Sequence, residues 1–242
     1  MKAFVDADFT VYKNCASAEY DVDYGNDVIV VQSKFSDALK NVQYDLKRIE
    51  DNFFGDTEIV LFFSDSVNFR KKIYPEYKGH RNRKKPCGYK RVIRELQNLY
   101  EVVTLPELEA DDALGIYATK YPGNCVVSPD KDLRQIPGQL YNLDEMMSVD
   151  PEEGRRWHLI QTLAGDQTDG YSGAPGYGVK TATKLFEAQG YDWETVVNAF
   201  ESKGLGEDIA LQNARLAKIL TNQEYDFKEL QVKLWSPTNA SS

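Results

Sequence analysis

Short runs of β-branched and aromatic residues alternate along the chain with longer stretches of helical period. Lys2 to Ala7 reads as an apolar strand carrying Asp6 near its end, and Glu58 to Phe63 as a core strand followed by Ser64–Asp65. Between them, apolar residues at 35, 38, 39, 42, 46 and 49 predict a helix over Lys34 to Glu50. Val28 to Val31 is a second β-branched run, either a strand or a loop edge. Glu101–Thr104 and Asn124–Ser128 predict further strands, with helices over Pro86–Leu99 and from Pro106 to about Lys120. Leu140–Asn142 and Met147–Val149 fit two short strands. Strand, crossover helix and strand in repetition predict an α/β fold, a parallel sheet covered by helices.

From Glu153 the texture changes. Trp157–Leu163, Lys180–Gln189, Asp192–Phe200 and Leu211–Leu220 read as helices, and Gly165 to Gly178 contains five glycines. A boundary near residue 150 separates an α/β part (1–150), with a basic segment at 70–90, from a helical part (151–242). The two are expected to share an interface, because each is small alone. The Ser- and Asn-rich tail offers little to pack.

Length and composition narrow the class. The 242 residues support one or two domains, and 42% hydrophobic with 12% aromatic residues argues against disorder. Cys15, Cys87 and Cys125 form neither a disulfide framework nor a close-spaced ligand set, which fits a reducing cytoplasm. No run approaches 18 apolar residues, and MKAFVDADF lacks the basic flank and apolar run of a signal peptide. The net charge of −9 alone argues against nucleic acid as a partner, but its distribution reverses that. Arg70 to Arg94 holds 11 Lys or Arg and only Glu76 as an acid, a +10 segment in a body of −19. Such a segment, with Arg83 and Lys84 at its centre, suits a polyanion; a solvated charged face is the plainer alternative.

The acids sit where parallel strands deliver ligands. Asp6 and Asp65 follow the first two core strands, and Asp130 and Asp132 follow the strand NCVVS. The carboxyl ends of parallel strands line the ligand crevice of an open α/β sheet, and clustered carboxylates repel unless a cation offsets them. Glu109, Asp111 and Asp112 fall at a helix start, where Glu109 and Asp112, three apart, are expected to share a face. Asp166 and Asp169 lie in LAGDQTDGYSG. With only His80 and His158 as histidines, an imidazole-built zinc site is disfavoured, and carboxylate oxygens suit two Mg²⁺ or Mn²⁺ ions. No P-loop occurs.

The segment GAPGYGVKTATKL joins two helices through alternating glycines. Its loop and the following helix start offer free N–H groups to phosphates without reading bases, with Gly173, Gly176, Gly178, Lys180, Thr181 and Lys184 as the contacts; a packing turn is the alternative.

Six segments in order, FVDAD, FSDSVNFRKKIYPEYKGHR, ELEADDALG, SPDKDLRQIPG, WHLIQTLAGDQTDGYSGAPGYGVKTATKL and QNARLAKILTNQEYDF, resemble the flap endonuclease and 5′–3′ exonuclease superfamily, in particular the exonucleases of short-tailed lytic phages. The resemblance implies a PIN-like catalytic domain and a helix–three-turn–helix unit over about 155–189. It implies Asp65, Glu109, Asp111 and Asp130, with Asp6 beside them, at a first metal, and Asp132, Asp166 and Asp169 at a second. It places Arg70, Lys78 and Arg81 against the scissile phosphate, and a K⁺ ion on the carbonyls of the loop Gly173–Gly178. Tyr74 and Tyr77 are left between stacking on a terminal base and core packing. Asp8 fits an outer ligand or a solvated acid. Only about 15 residues separate Lys71 from the helix at Pro86, so a full two-helix arch is not expected.

The function so implied is a metal-dependent 5′–3′ exodeoxyribonuclease in a bacterial host's cytoplasm, serving phage replication, primer removal or DNA degradation. Its partners would be duplex DNA with 5′ ends, nicks or flaps, and RNA/DNA hybrids, engaged by a monomer. A 5′ flap endonuclease and a degenerate DNA-binding structural protein are the alternatives.

Overall fold

The computed structural model describes residues 1–53, 56–81 and 84–237. Its elements are, in order, β1 (Lys2–Asp6), α1 (Ala7–Ser17), β2 (Glu19–Asp23), β3 (Ile29–Ser33), α2 (Phe35–Asp51), β4 (Glu58–Phe62), α3 (Arg70–Ile73), α4 (Tyr89–Leu99), β5 (Glu101–Val103), α5 (Ala110–Lys120), β6 (Cys125–Val127), a 3₁₀ turn (Lys131–Gln135), β7 (Gly138–Tyr141), β8 (Met146–Val149), α6 (Pro151–Ala164), β9 (Gly165–Asp166), β10 (Tyr171–Ser172), α7 (Val179–Gln189), α8 (Trp193–Glu201), α9 (Glu207–Ala217), β11 (Tyr225–Asp226) and β12 (Gln231–Val232).

The main sheet has the order β5-β4-β1-β6-β7-β8, parallel except for the β7–β8 hairpin. Central β1 pairs Phe4 with Val60 on one side and Val126 on the other. Alternation along these strands builds two cores. Phe4, Val60, Phe62 and Val126 pack under α5, while Ala3, Val5, Ile59, Leu61 and Val127 pack against α1, α2 and α4. Because β1, β4 and β6 run the same way, the carboxyl ends bearing Asp6, Asp65 and Asp130 meet at one edge.

A separate core joins α6 to α9, with Leu159, Leu163, Phe186, Val196 and Phe200 at its centre. The expected interface between the two regions is present. Gln135 of the 3₁₀ turn donates to the Gln161 side chain and to the Ala217 carbonyl, both at 2.7 Å.

Three sequence expectations change. Helix α1 was not anticipated; Asp6 caps it, accepting from the Phe9 N–H at 3.2 Å, so the chain turns from strand to helix without a loop. Val28–Val31 belongs to a β2–β3 hairpin outside the main sheet. The last helix runs over Glu207–Ala217 rather than Leu211–Leu220, because the following stretch leaves the helix to pair with buried side chains: Ile219 donates to Gln135 and Leu220 to Asp112. The Ser- and Asn-rich end of the tail, 238–242, lies outside the described residues, but the chain between it and α9 packs. Ile219, Leu220 and Tyr225 join the sheet core, and Trp235 is buried against His158 and Trp193.

His158 is buried in α6, with Nε2 2.8 Å from the Ala214 carbonyl. Burial, then the Lys218 charge, holds its pKa down at about 3, against about 6.5 in the unfolded chain. Between those values the unfolded chain binds a proton that the folded chain refuses. The His158 contribution is therefore complete above about pH 6.5 and declines as pH falls toward 3. Urea midpoints at pH 7.5 and 5.0 should converge for His158→Gln relative to the parent; parallel pH profiles for the two chains would contradict this.

Candidate active site

The acids at the sheet edge are held by backbone geometry that their own sequence dictates. Asp6 accepts from the Phe9 N–H and from the Ser128 hydroxyl at 2.9 Å, and burial, with Asp8 and Asp130 adding to it, pushes its pKa up to about 6. Asp65 accepts from the N–H groups of Glu107 (2.8 Å) and Ser66 (2.6 Å), and the Glu107 bond leads in holding it below the usual carboxylate range. Asp130 caps the 3₁₀ turn by accepting from the Asp132 N–H at 2.9 Å. Asp132 accepts from Gln161 at 2.6 Å, and burial beside Asp130 pushes it up to about 6.

Glu109 precedes α5 in extended conformation and faces Lys78 (2.5 Å), the Tyr77 hydroxyl (3.0 Å) and Arg70 (3.4 Å). Burial raises its pKa, but Lys78 and Arg70 outweigh that and hold it low. Asp111 accepts no hydrogen bond and no ion pair among the described residues. Burial, then Asp6, Asp130 and Glu109, drives its pKa well above the ordinary value. In the glycine-rich loop, Asp166 accepts from the Thr168 N–H (2.7 Å) and hydroxyl (2.6 Å). Asp169 pairs with Arg81 (2.6 Å) and accepts from Tyr77 (2.8 Å).

These residues line two adjoining cavities. One, of about 280 Å³, is walled by Glu109, Asp111, Asp130, Asp132, Asp166 and Asp169. The other, of about 620 Å³, carries Asp6, Asp8, Asp65, Lys85, Tyr89 and Lys90. Lys78, Arg81, Glu109 and Asp111 face both. The segment 77–81 is stitched to the glycine-rich loop: the Lys78 N–H donates to the Asp169 carbonyl at 2.7 Å and Arg81 Nε to the Thr168 carbonyl at 2.9 Å.

The donor chemistry fits hard divalent cations, being oxygen throughout and strongly self-repelling. The acids gather but are not preassembled. Among the described residues no three His, Cys, Asp or Glu side chains converge as a ligand set, since Lys78 and Arg81 hold Glu109 and Asp169 while Ser128 and Phe9 hold Asp6.

Several expected roles are redirected. Asp112 is wholly buried and pairs with Arg70 through both oxygens (2.6 and 2.8 Å), so it is not available as a ligand. Asp112 and Glu109 do converge, but on Arg70. Arg70 is only 1% exposed and also donates to the carbonyls of Leu216 and Lys218, which excludes it from direct contact with a phosphate. Tyr77 is buried with its ring stacked on Tyr171, so it offers no face to a base; its hydroxyl bridges Glu109 and Asp169 instead. Tyr74 is half-buried in the same cluster, its hydroxyl on Glu76 at 3.0 Å. No sequence signal separated these tyrosines, because aromatic residues serve cores and stacking alike.

Around the glycine loop, a Cβ on Gly173 would strike the Leu163 carbonyl, and Gly165 at φ +67° abuts Gly173, so this pair is required by backbone packing. Gly176 (φ +87°) and Gly178 are exposed, Gly178 with open space about it and Gly176 close only to the Lys203 ammonium. The Thr181 hydroxyl accepts from the Gly178 N–H at 2.8 Å and faces the loop's own carbonyls. Lys180, Lys184 and Lys84 are exposed. Arg83 lies outside the described residues.

The family model for the 5′-3′ exonuclease, N-terminal resolvase-like domain, matches residues 8–156, and this chain belongs to that family. Among full-length relatives, the exodeoxyribonuclease of Enterobacteria phage T3 and the exonuclease of Escherichia phage T7 are each 27% identical, covering 96% of this chain and 92% of theirs. A flap endonuclease, Xni, of Shewanella oneidensis is 28% identical over 76% of this chain and 80% of its own. The fold resembles the 5′-exonuclease of phage T5, solved with divalent zinc bound, at a TM-score of 0.62 and 16% identity, covering 90% of this chain and 89% of that one. The sheet and its helices are the PIN-like architecture expected from the sequence. No described helix is long and apolar enough to cross a membrane.

Proposed function

We propose that the chain is a divalent-metal-dependent 5′–3′ exodeoxyribonuclease acting on duplex DNA in phage replication, primer removal or DNA degradation. One observation carries this reading: acids from three parallel strand ends, α5 and the glycine-rich loop line two cavities whose shared wall carries Lys78 and Arg81 beside Glu109 and Asp111. Membership of the exonuclease family and similarity to phage exonucleases support it.

Asp6, Asp65, Glu109, Asp111 and Asp130 would hold one ion, and Asp132, Asp166 and Asp169 a second, Mg²⁺ or Mn²⁺. When bound, such ions supply Lewis-acid activation of the attacking water and of the leaving 3′ oxygen. The protein's own part is positional and electrostatic. Lys78 and Arg81 exchange their carboxylate partners for the scissile phosphate and offset its growing charge. Tyr77, through its hydroxyl, keeps Glu109 and Asp169 in register across the two regions. Exposed Lys84 adds to the positive charge offered to the DNA backbone. The unit α6–loop–α7 acts as a helix–three-turn–helix grip on the duplex, with a K⁺ ion on the carbonyls around Gly176 and Gly178 and with Lys180 and Lys184 on phosphates.

Mapping products from 5′-labelled blunt, nicked and flapped duplexes, with Mg²⁺ and with chelator, tests the reading. Release of 5′-phosphorylated short products from blunt and nicked ends, dependent on Mg²⁺, is the expected result. Cleavage confined to flap junctions would make the chain a flap endonuclease, and DNA binding without cleavage a structural protein. Changing both Lys180 and Lys184 to Ala should weaken duplex binding and lower the slope of log affinity against log salt by about two. An unchanged slope would remove the grip.

A further inference from the structure

Asp8 sits two residues beyond Asp6 in the first turn of α1, and both of its oxygens are engaged. Oδ2 accepts from the Ser64 N–H at 2.9 Å, and Oδ1 accepts from the Tyr89 hydroxyl at 2.7 Å. The Ser64 hydroxyl in turn accepts from the Ala110 N–H at 3.0 Å, the first residue of α5. The chain of bonds therefore joins residues close in sequence to four acids. Asp8 is two residues from Asp6, Ser64 is next to Asp65, and Ala110 lies between Glu109 and Asp111. At its outer end, Tyr89 is buried at the start of α4, with Lys85 above its ring at 4.5 Å and Lys90 beside it on the 620 Å³ cavity.

We infer that Asp8 is a positioning residue, neither an outer metal ligand nor a solvated acid. It sets the register of the strand-end acids and ties them to the start of α4. A carboxylate suits this place because both acceptor positions are needed at once: one oxygen for a backbone N–H that no strand partner satisfies, the other for a buried phenol. The inference rests on the nuclease reading for its kinetic consequences, but the hydrogen-bond chain can be tested without it.

The experiment uses the full chain as Asp8→Ala, Asp8→Asn, Tyr89→Phe and the double variant Asp8→Asn/Tyr89→Phe. Amide hydrogen exchange followed by NMR should show loss of protection at Ser64 and Ala110 in Asp8→Ala, whether or not the chain cleaves DNA; unchanged protection overturns the tether. On a 5′-labelled duplex with Mg²⁺, Asp8→Ala should lower kcat about ten- to a hundred-fold with KM for DNA unchanged, the scale of a misplaced reacting group. Asp8→Asn keeps one acceptor and should recover part of that loss. The loss in the double variant should be smaller than the sum of the two single losses, because both substitutions act on the same Asp8–Tyr89 contact. Wild-type kcat in Asp8→Ala returns the residue to a solvated acid. Recovery of its kcat by raised Mg²⁺ alone makes it an ion ligand and overturns the assignment. Absence of cleavage by the unaltered chain refutes the nuclease reading while leaving the exchange result to decide the tether.

Discussion

Asp111→Asn is expected to lower nuclease activity about 10²–10³-fold while making the metal-free chain more stable. Both effects have one origin. Asp111 is half-buried on the cavity wall, where Asp6, Asp130 and Glu109 repel its charge, and it accepts neither a hydrogen bond nor an ion pair among the described residues. A carboxylate in that position raises the energy of the fold through desolvation and like-charge repulsion. The amide keeps the shape and removes the charge, so unfolding in chelator should shift upward by on the order of 1 kcal/mol. The activity loss is of the scale produced by deleting one electrostatic contributor to a transition state. Asp130→Asn should lose activity similarly, with a smaller gain in stability, because Asp130 is a capping acceptor for the 3₁₀ turn. Thermal or urea unfolding in chelator, paired with rates on a 5′-labelled duplex in Mg²⁺, measures both quantities. Wild-type rates in Asp111→Asn would defeat its assignment as a ligand.

Arg70→Met should cost about 3–5 kcal/mol of folding stability, the scale of breaking a buried ion pair by removing one partner. Its guanidinium donates to both oxygens of Asp112 and to the carbonyls of Leu216 and Lys218, tying α3, α5 and the C-terminal end of α9 together. Without it, a wholly buried carboxylate keeps only the Leu220 N–H and loses its counter-charge, and two carbonyls lose the guanidinium donor. Since domains are stable by only about 5–15 kcal/mol, the variant should be close to unfolding at 37 °C. Replacing both partners, as Arg70→Met with Asp112→Leu, should recover much of the loss because no charge is then left buried. Urea midpoints of the parent, the single and the double variant decide it. A single variant within about 1 kcal/mol of the parent would show that Arg70 is not structural.

The same pair shows where sequence spacing stops being informative. Asp111 and Asp112 are adjacent acids at one helix start. Spacing alone favoured Asp112, since it lies three residues from Glu109 on a helix. Glu109, however, precedes the helix in extended conformation, so that geometry does not carry over. Asp111 faces the cavity and Asp112 faces Arg70, 42 residues earlier. The expected basic segment divides similarly. Lys78 and Arg81 reach the site, Arg70 is buried in the fold, and Lys84 lies on the surface.

By itself the sequence determined the parallel sheet, because runs such as EIVLFF admit burial on both faces and little else. It also determined that acids would stand at the sheet's carboxyl edge, because each follows a core strand directly, and that a cationic segment would lie nearby. Helix α1 and the β2–β3 hairpin escaped it, for α1 begins directly at the Asp6 cap and shows only weak apolar periodicity. Only the tertiary structure decided which charged groups face the cavity and which are consumed by the fold. That choice depends on partners far apart in the chain: Arg70 with Lys218, Tyr77 with Asp169, Gln135 with Ala217. Local spacing sets the face on which a side chain lies. The chain packed against that face sets whether it serves chemistry or stability.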